Sequence, residues 1–397
     1  MKRIFFNILK LIIVLSLASC RGPGEENSNP INDVPPGETL SKAEQLMEGM
    51  TLEEKIGQLF IIRPESLNLS LAPEQISNSR AYGATELDSP MIESLKRYPV
   101  GGVAIFQKNI LSPAQLTGFV DEMQGQSKIP LFVGIDEEGG SVSRIANTEG
   151  FDVTKYESME AIGLTGDSKN AQTVGLTIGS YLKQYGFNLD FAPVADVNTN
   201  PDNIVIGNRS FGSDPALVAK MVSAEIDGLH EAGVMSCIKH FPGHGDTKGD
   251  THKGFVSTEK TWEELKQCEL IPFMNASGHT DMVMISHITA PNVTSDGLPS
   301  SLSKEMIEGK LRKELDYDGV VITDSMAMRA ITEAYTSGEA AVKSILGGVD
   351  LILMPENFAE AYNGIYDAVK SGTISEKRID ESVLRILSLK EKYGLLK

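Results

Sequence analysis

Residues 234–252 read VMSCIKHFPGHGDTKGDTH. The first five residues show no polar alternation, the pattern of a strand covered on both faces in a parallel sheet. The chain then changes character abruptly. Lys239 and His240 are followed by a turn containing Pro242, Gly243 and Gly245, and then by aspartates and histidines. A buried strand that releases reactive side chains at its carboxyl end is what a (β/α)8 barrel requires, because its sites are assembled on that rim.

Working outward, the same grammar recurs. Segments 56–62, 100–106, 130–135, 187–194, 234–238, 282–285, 319–322 and 349–353 all read as short buried strands. The first is ambiguous, since Thr51-Leu-Glu-Glu54 is a capping box that could carry helix through Leu59. Amphipathic helices separate the strands. Ser112-Pro113 and Asp214-Pro215 each place a capping side chain before a proline at the first helical position. A last helix over 375–393 carries Ile379, Val383, Ile386 and Leu387 on one face. Eight units over some 350 residues predict an α/β fold: a single-domain (β/α)8 TIM-type barrel. An open doubly wound sheet is the rival architecture. Polar residues past the carboxyl ends of several strands favour the barrel.

The start of the chain reads differently. Lys2, Arg3 and Lys10 flank a short apolar run ending Leu17-Ala18-Ser19-Cys20, a secretory signal too short to span a bilayer comfortably. The Leu-Ala-Ser-Cys ending also resembles the bacterial lipobox, in which the cysteine carries the lipid. Residues 21–39 are Gly, Pro, Asn and Glu with little apolar content, the composition of a tether. The expected organisation is therefore a signal at 1–19, a tether at 20–39 and a catalytic barrel at 40–397. The expected location is outside the cytoplasm, periplasmic or cell-surface, held to a membrane only through lipid on Cys20.

Composition narrows the function. The 397 residues carry 36 Lys+Arg against 54 Asp+Glu, a net charge of −18 with no basic cluster, so nucleic acid is excluded as a partner. Three cysteines rule out a disulfide framework, and Cys237 and Cys268 read as buried thiols.

Four strand ends carry the chemistry. The third runs into Asp136-Glu137-Glu138-Gly139-Gly140-Ser141-Val142-Ser143-Arg144. Adjacent carboxylates repel one another, so a solvated or ligand-facing position is expected for this run. The fourth leads into a long polar loop holding Arg209, a candidate clamp for hydroxyls or a carboxylate. The fifth is the opening stretch, where His240, His244, Asp246, Asp250 and His252 invite two readings. One is a loop-built zinc site. The other is acid–base chemistry, with Asp250 fixing one ring nitrogen of His252 and leaving the other to exchange a proton. The seventh strand ends at Asp324, placed as a nucleophile or base. Ser286-His287 and Met354-Pro355-Glu356 are assigned no role.

Blocks 136–144, 206–212, 239–252 and 320–328, in that order, resemble glycoside hydrolase family 3, specifically its single-barrel β-N-acetylhexosaminidases. The resemblance covers nearly all of residues 40–397, and the Lys-His-Phe-Pro-Gly-His-Gly…Asp-Thr-His block is its most specific part. It implies that Asp324 is the nucleophile, His252 the general acid/base and Asp250 its dyad partner. It implies that Asp136, Arg144, Arg209, Lys239 and His240 hold a terminal N-acetylglucosamine. Thr251 stands where the family usually has Ser, and the Ser-, Pro- and Asn-rich stretch between Ile62 and Val100 exceeds the smallest members.

The implied activity is exo-acting and retaining, on peptidoglycan fragments or chito-oligosaccharides, with no cofactor or metal and a monomeric chain. Relatives with other sugar specificities take a carboxylate acid from a further domain, whereas here the acid is expected from the barrel itself. Phosphorolysis, or β-glucosidase activity, is the variant within the family. A metal-dependent barrel hydrolase and an inactive lipid-anchored glycan-binding protein are the rivals from other classes.

Overall fold

The apolar segments become eight strands: β1 (Phe60–Ile62), β2 (Gly102–Ile105), β3 (Phe132–Ile135), β4 (Leu189–Asp190), β5 (Met235–Phe241), β6 (Met282–Ile285), β7 (Val320–Thr323) and β8 (Ile352–Leu353). The structure is a computed structural model describing residues 40–77, 83–249 and 256–396. Every strand residue is buried, which is why the segments lack polar alternation. Each strand pairs in parallel with its neighbours in sequence. The ring closes where β8 pairs with β1 through Phe60–Ile352 and Ile61–Leu353, while Leu351 bridges to Ile322 of β7. This is the expected (β/α)8 barrel, and it rules out the open doubly wound sheet, whose edges would stay unpaired.

A helix follows each strand: α1 (Ser89–Arg97), α2 (Pro113–Gln126), α3 (Ser168–Gln184), α4 (Pro215–Glu231), α5 (Ile271–Ala276), α6 (Glu305–Glu314), α7 (Ser337–Gly347) and α8 (Phe358–Lys370), with α9 (Glu376–Lys392) after them. Local chemistry sets their starts. The Ser112 hydroxyl accepts the Gln115 N–H and the Asp214 carboxylate accepts the Ala216 N–H, each ahead of a proline that lacks the donor the cap need not satisfy. Ile379, Val383, Ile386 and Leu387 anchor α9, each fully buried and contributing about 1.5–3 kcal/mol of apolar burial.

Two boundaries differ from the sequence expectation. Residues 56–58, expected as strand, belong to a helix over Leu52–Gln58: Thr51 and Glu54 complete a reciprocal capping box, and strand begins only at Phe60. β5 runs on through Phe241, so Lys239 and His240 sit on the strand itself, not on the loop after it. Cys237 is a buried free thiol as expected, whereas Cys268 is only half-buried.

Among the described residues no helix is long and apolar enough to cross a membrane. The expected signal, tether and lipidation cysteine Cys20 lie outside the described residues, as do Asp250 and His252.

Candidate active site

A parallel barrel points all its strand ends the same way, and here they meet around a pocket of about 420 Å³. Each of the eight strands, or the residue just after it, contributes to the lining: Arg63, Phe106, Asp136, Phe191, His240, Met284, Asp324 and Met354. Arg144, Arg209 and Lys239 line it too. The structure thus brings together six of the eight catalytic and sugar-binding residues expected from the sequence. The other two, Asp250 and His252, are not described.

One side of the pocket is a chain of alternating charges. Lys239 Nζ lies 2.7 Å from Asp136 Oδ1 and 2.5 Å from Glu138 Oε1. Arg209 grips Glu138 with two hydrogen bonds of 2.7 and 2.8 Å, and Arg144 donates to Asp136 Oδ2 at 3.2 Å. Burial pushes both carboxylates up, but Lys239 and Arg144 outweigh it and hold Asp136 well below its ordinary range. Arg209 and Lys239 likewise bring Glu138 down to about 2. Burial opposes the charge on Lys239, yet the two carboxylates raise its proton affinity, so Lys239, Asp136 and Glu138 are all ionised at neutral pH.

This geometry refines two expectations. Glu138 takes the ligand-facing position expected for the run and lines the pocket, whereas Glu137 is buried away from it, and cations and backbone donors compensate the two carboxylates on opposite faces. Arg209 lines the pocket, but its fork is filled by Glu138, so it shapes the cation network and is not a free clamp.

His240 is set by a residue that sequence reading passed over. Its Nδ1 lies 2.6 Å from Oδ2 of Asp196, which is fully buried. Burial raises the Asp196 carboxyl, but His240 lowers it further, so the carboxylate accepts and Nδ1 carries the proton. Asp196 Oδ1 also accepts the His244 N–H at 2.6 Å. His244 borders the pocket and is pushed below an ordinary imidazole by burial. Thr247 occupies its Nδ1 at 2.7 Å, and its buried Nε2 has no hydrogen-bond partner among the described residues.

The loop after β5 leans on the polar loop after β4. Asn203 donates to the His244 carbonyl, and Asn200 donates to the carbonyls of Gly245 and Thr247. A Cβ on Gly245 would fall 1.9 Å from the Val197 carbonyl, so only glycine permits this contact. The Asn-rich loop therefore acts as scaffold for the strand-five stretch.

Asp324 follows β7 and is half-buried. Its backbone N–H bonds to Ile285 O at 2.9 Å, and its Oδ1 accepts the Ser325 N–H at 2.7 Å. His287, given no role from sequence, is fully buried and braces this turn, with Nε2 2.9 Å from Ser325 O and Nδ1 2.7 Å from Ser301 Oγ. Among the described residues no three His, Cys, Asp or Glu side chains are grouped as a metal site.

Sequence reading gave Glu138 and Phe106 no specific role. The period-two alternation of an extended segment would have found Glu138, since it faces the same way as Asp136. Phe106 carries Arg63 over its ring at 4.5 Å and Arg144 at 5.4 Å.

The profile of the glycosyl hydrolase family 3 N terminal domain matches residues 51–389. The chain belongs to glycosyl hydrolase family 3. It is 33% identical over 337 residues to Beta-hexosaminidase A of Pseudoalteromonas piscicida, covering 78% of this chain but 56% of that protein. It therefore spans little more than half of that relative. It is 33% identical over 306 residues to Beta-hexosaminidase LpqI of Mycobacterium tuberculosis, covering 74% and 76% of the two chains. The solved family 3 beta-N-acetylglucosaminidase from a Paenibacillus species superposes with a TM-score of 0.79 at 38% identity, over 87% of this chain and 63% of that one.

Proposed function

We propose that the protein is an exo-acting, retaining β-N-acetylhexosaminidase that releases terminal N-acetylglucosamine from peptidoglycan fragments or chito-oligosaccharides. The observation that carries this reading is the pocket itself, where Asp324 and the Asp136–Lys239–Glu138 network converge on one barrel rim. The names of the relatives support the sugar.

In this reading the Asp324 carboxylate attacks the anomeric carbon while His252, with Asp250 on its other nitrogen, gives a proton to the departing glycosidic oxygen. Water then attacks the glycosyl–Asp324 ester, His252 takes the water proton, and the carboxylate is released. Two inversions give net retention. Asp136, Arg144, Lys239 and His240 hold the ring hydroxyls, with Arg209 acting through Glu138. A permanently ionised network suits this task, because it offers fixed donors and acceptors that need no reorganisation as the sugar distorts.

The test is turnover of an aryl N-acetyl-β-glucosaminide and of chito-oligosaccharides, with product anomers followed by NMR. The β-anomer is expected as first product, and Asp324→Asn should abolish release with the fold intact. Near wild-type turnover in that variant refutes the assignment. Adding phosphate separates the phosphorolytic variant, which would yield the sugar 1-phosphate.

We also infer export and lipid attachment at Cys20 from the leader sequence. Metabolic labelling with a fatty acid, lost in Cys20→Ala, is the expected result.

A further inference from the structure

We infer that Glu137 is a positioning residue that fixes Arg144 in the pocket wall. The inference rests on the functional reading above for the role of Arg144, and on geometry for everything else.

Asp136, Glu137 and Glu138 leave β3 in extended conformation, where alternate residues face opposite sides. Asp136 and Glu138 line the pocket, and Glu137 is turned away from it toward α3. There its buried carboxylate accepts four hydrogen bonds. Oε2 takes the N–H groups of Arg144 at 2.6 Å and Ile145 at 2.9 Å. Oε1 takes the N–H of Ala146 at 2.8 Å and the Tyr181 hydroxyl at 2.9 Å. The Glu137 N–H is itself held by Asp190 Oδ1 at 3.0 Å.

The chain can return to this point because Glu137–Gly139 and Val142–Ser143 pair as a short antiparallel hairpin. Its turn passes through Gly139 and Gly140 at φ +88 and +68, a region that a side chain would strain. Three successive amides converging on one carboxylate form a cradle like those that bind external anions. Here the anion belongs to the chain.

The consequence falls on Arg144. Its own side-chain tether is slight: one 3.2 Å hydrogen bond to Asp136 and a ring face 5.4 Å away, with 27% of the side chain exposed. Its Nε is buried and has no hydrogen-bond partner among the described residues. A long side chain so weakly held takes its position from its backbone, and Glu137 holds that backbone. A displacement near 1 Å in a positioning group is enough to cost an enzyme dearly.

The experiment is a double-mutant cycle with Glu137→Ala, Arg144→Ala and the pair, with Glu137→Gln as the isosteric variant should alanine fail to fold. KM and kcat are read on the aryl glycoside, and amide hydrogen exchange is read at residues 144–146. Loss of the clamp should raise KM about tenfold with kcat changed less than about threefold, as expected for lost binding without lost chemistry. In the Arg144→Ala background the same change should raise KM less than about twofold, because the two residues act as one unit. Exchange should rise at 144–146 while the barrel strands stay protected.

Multiplicative effects in the pair, or unaltered exchange at 144–146, overturn the inference. So does a loss of protection spread over the whole barrel with KM unmoved. If the wild-type protein turned over no glycoside, the functional reading would fall, and the exchange pattern would still decide whether Glu137 clamps this loop.

Discussion

Lys390 is the most exacting test of the electrostatics in this barrel. It lies on α9, is fully buried, and donates to Gln58 Oε1 at 2.7 Å at the amino-terminal end of the barrel, 4.8 Å from the Phe132 ring centre. It has no ion-pair partner among the described residues, and burial alone lowers its pKa from 10.5 to about 7. Between those values the unfolded chain holds a proton that the folded protein has released. Stability therefore rises with pH across that window.

At 1.36 kcal/mol per pH unit, the full effect is on the order of 4–5 kcal/mol. Lys390→Met removes that penalty but leaves the buried Gln58 oxygen without its donor, which costs about 1–3 kcal/mol. The variant should thus be more stable than wild type by roughly 1–4 kcal/mol at pH 6, and less stable by about 0–2 kcal/mol near pH 10, where most of the penalty is gone. Urea midpoints at pH 6, 8 and 10 measure this directly. KM should not move, because the rim pocket lies at the opposite end of the strands. A stability difference of one sign and constant size from pH 6 to 10 would refute the reasoning.

Three further outcomes are expected. Lys239→Met strips the cation shared by Asp136 and Glu138 and should cost about 3–5 kcal/mol at pH 7 along with most turnover. In wild type the depressed carboxylates contribute stability above their unfolded pKa near 4, lost as pH falls toward the folded values. The variant's deficit should therefore hold from pH 7 to about 4.5 and shrink only below about pH 4, which chemical denaturation at about pH 7, 4.5 and 3 will show. His252→Ala should lower kcat far more for alkyl than for activated aryl leaving groups, read from a leaving-group series. Gly245→Ala drives a Cβ into the Val197 carbonyl and should cost about 1–3 kcal/mol with a fall in kcat/KM, checked by thermal denaturation and kinetics.

The sequence by itself determined the repeating unit of this protein. Runs such as 282–285 and 319–322 are apolar without alternation, and Ser112-Pro113 and Asp214-Pro215 mark helix starts by chemistry that acts over three or four residues. It also put Asp136, Lys239, His240 and Asp324 at strand ends, since a polar residue directly after a buried strand is a local signal. What it could not decide is which distant groups meet. Lys239 joins Asp136 from 103 residues away, and Arg209 reaches Glu138 across 71, so a run that looks self-repelling in isolation is neutralised in the fold. Nor could it show that Glu137 turns its back on the pocket, that Asp196 sets His240, or that His287 braces the Asp324 turn. Periodicity and capping are properties of neighbouring residues. Charge compensation and tautomer choice depend on partners supplied by other strands, and those partners exist only once the eight-stranded ring has closed.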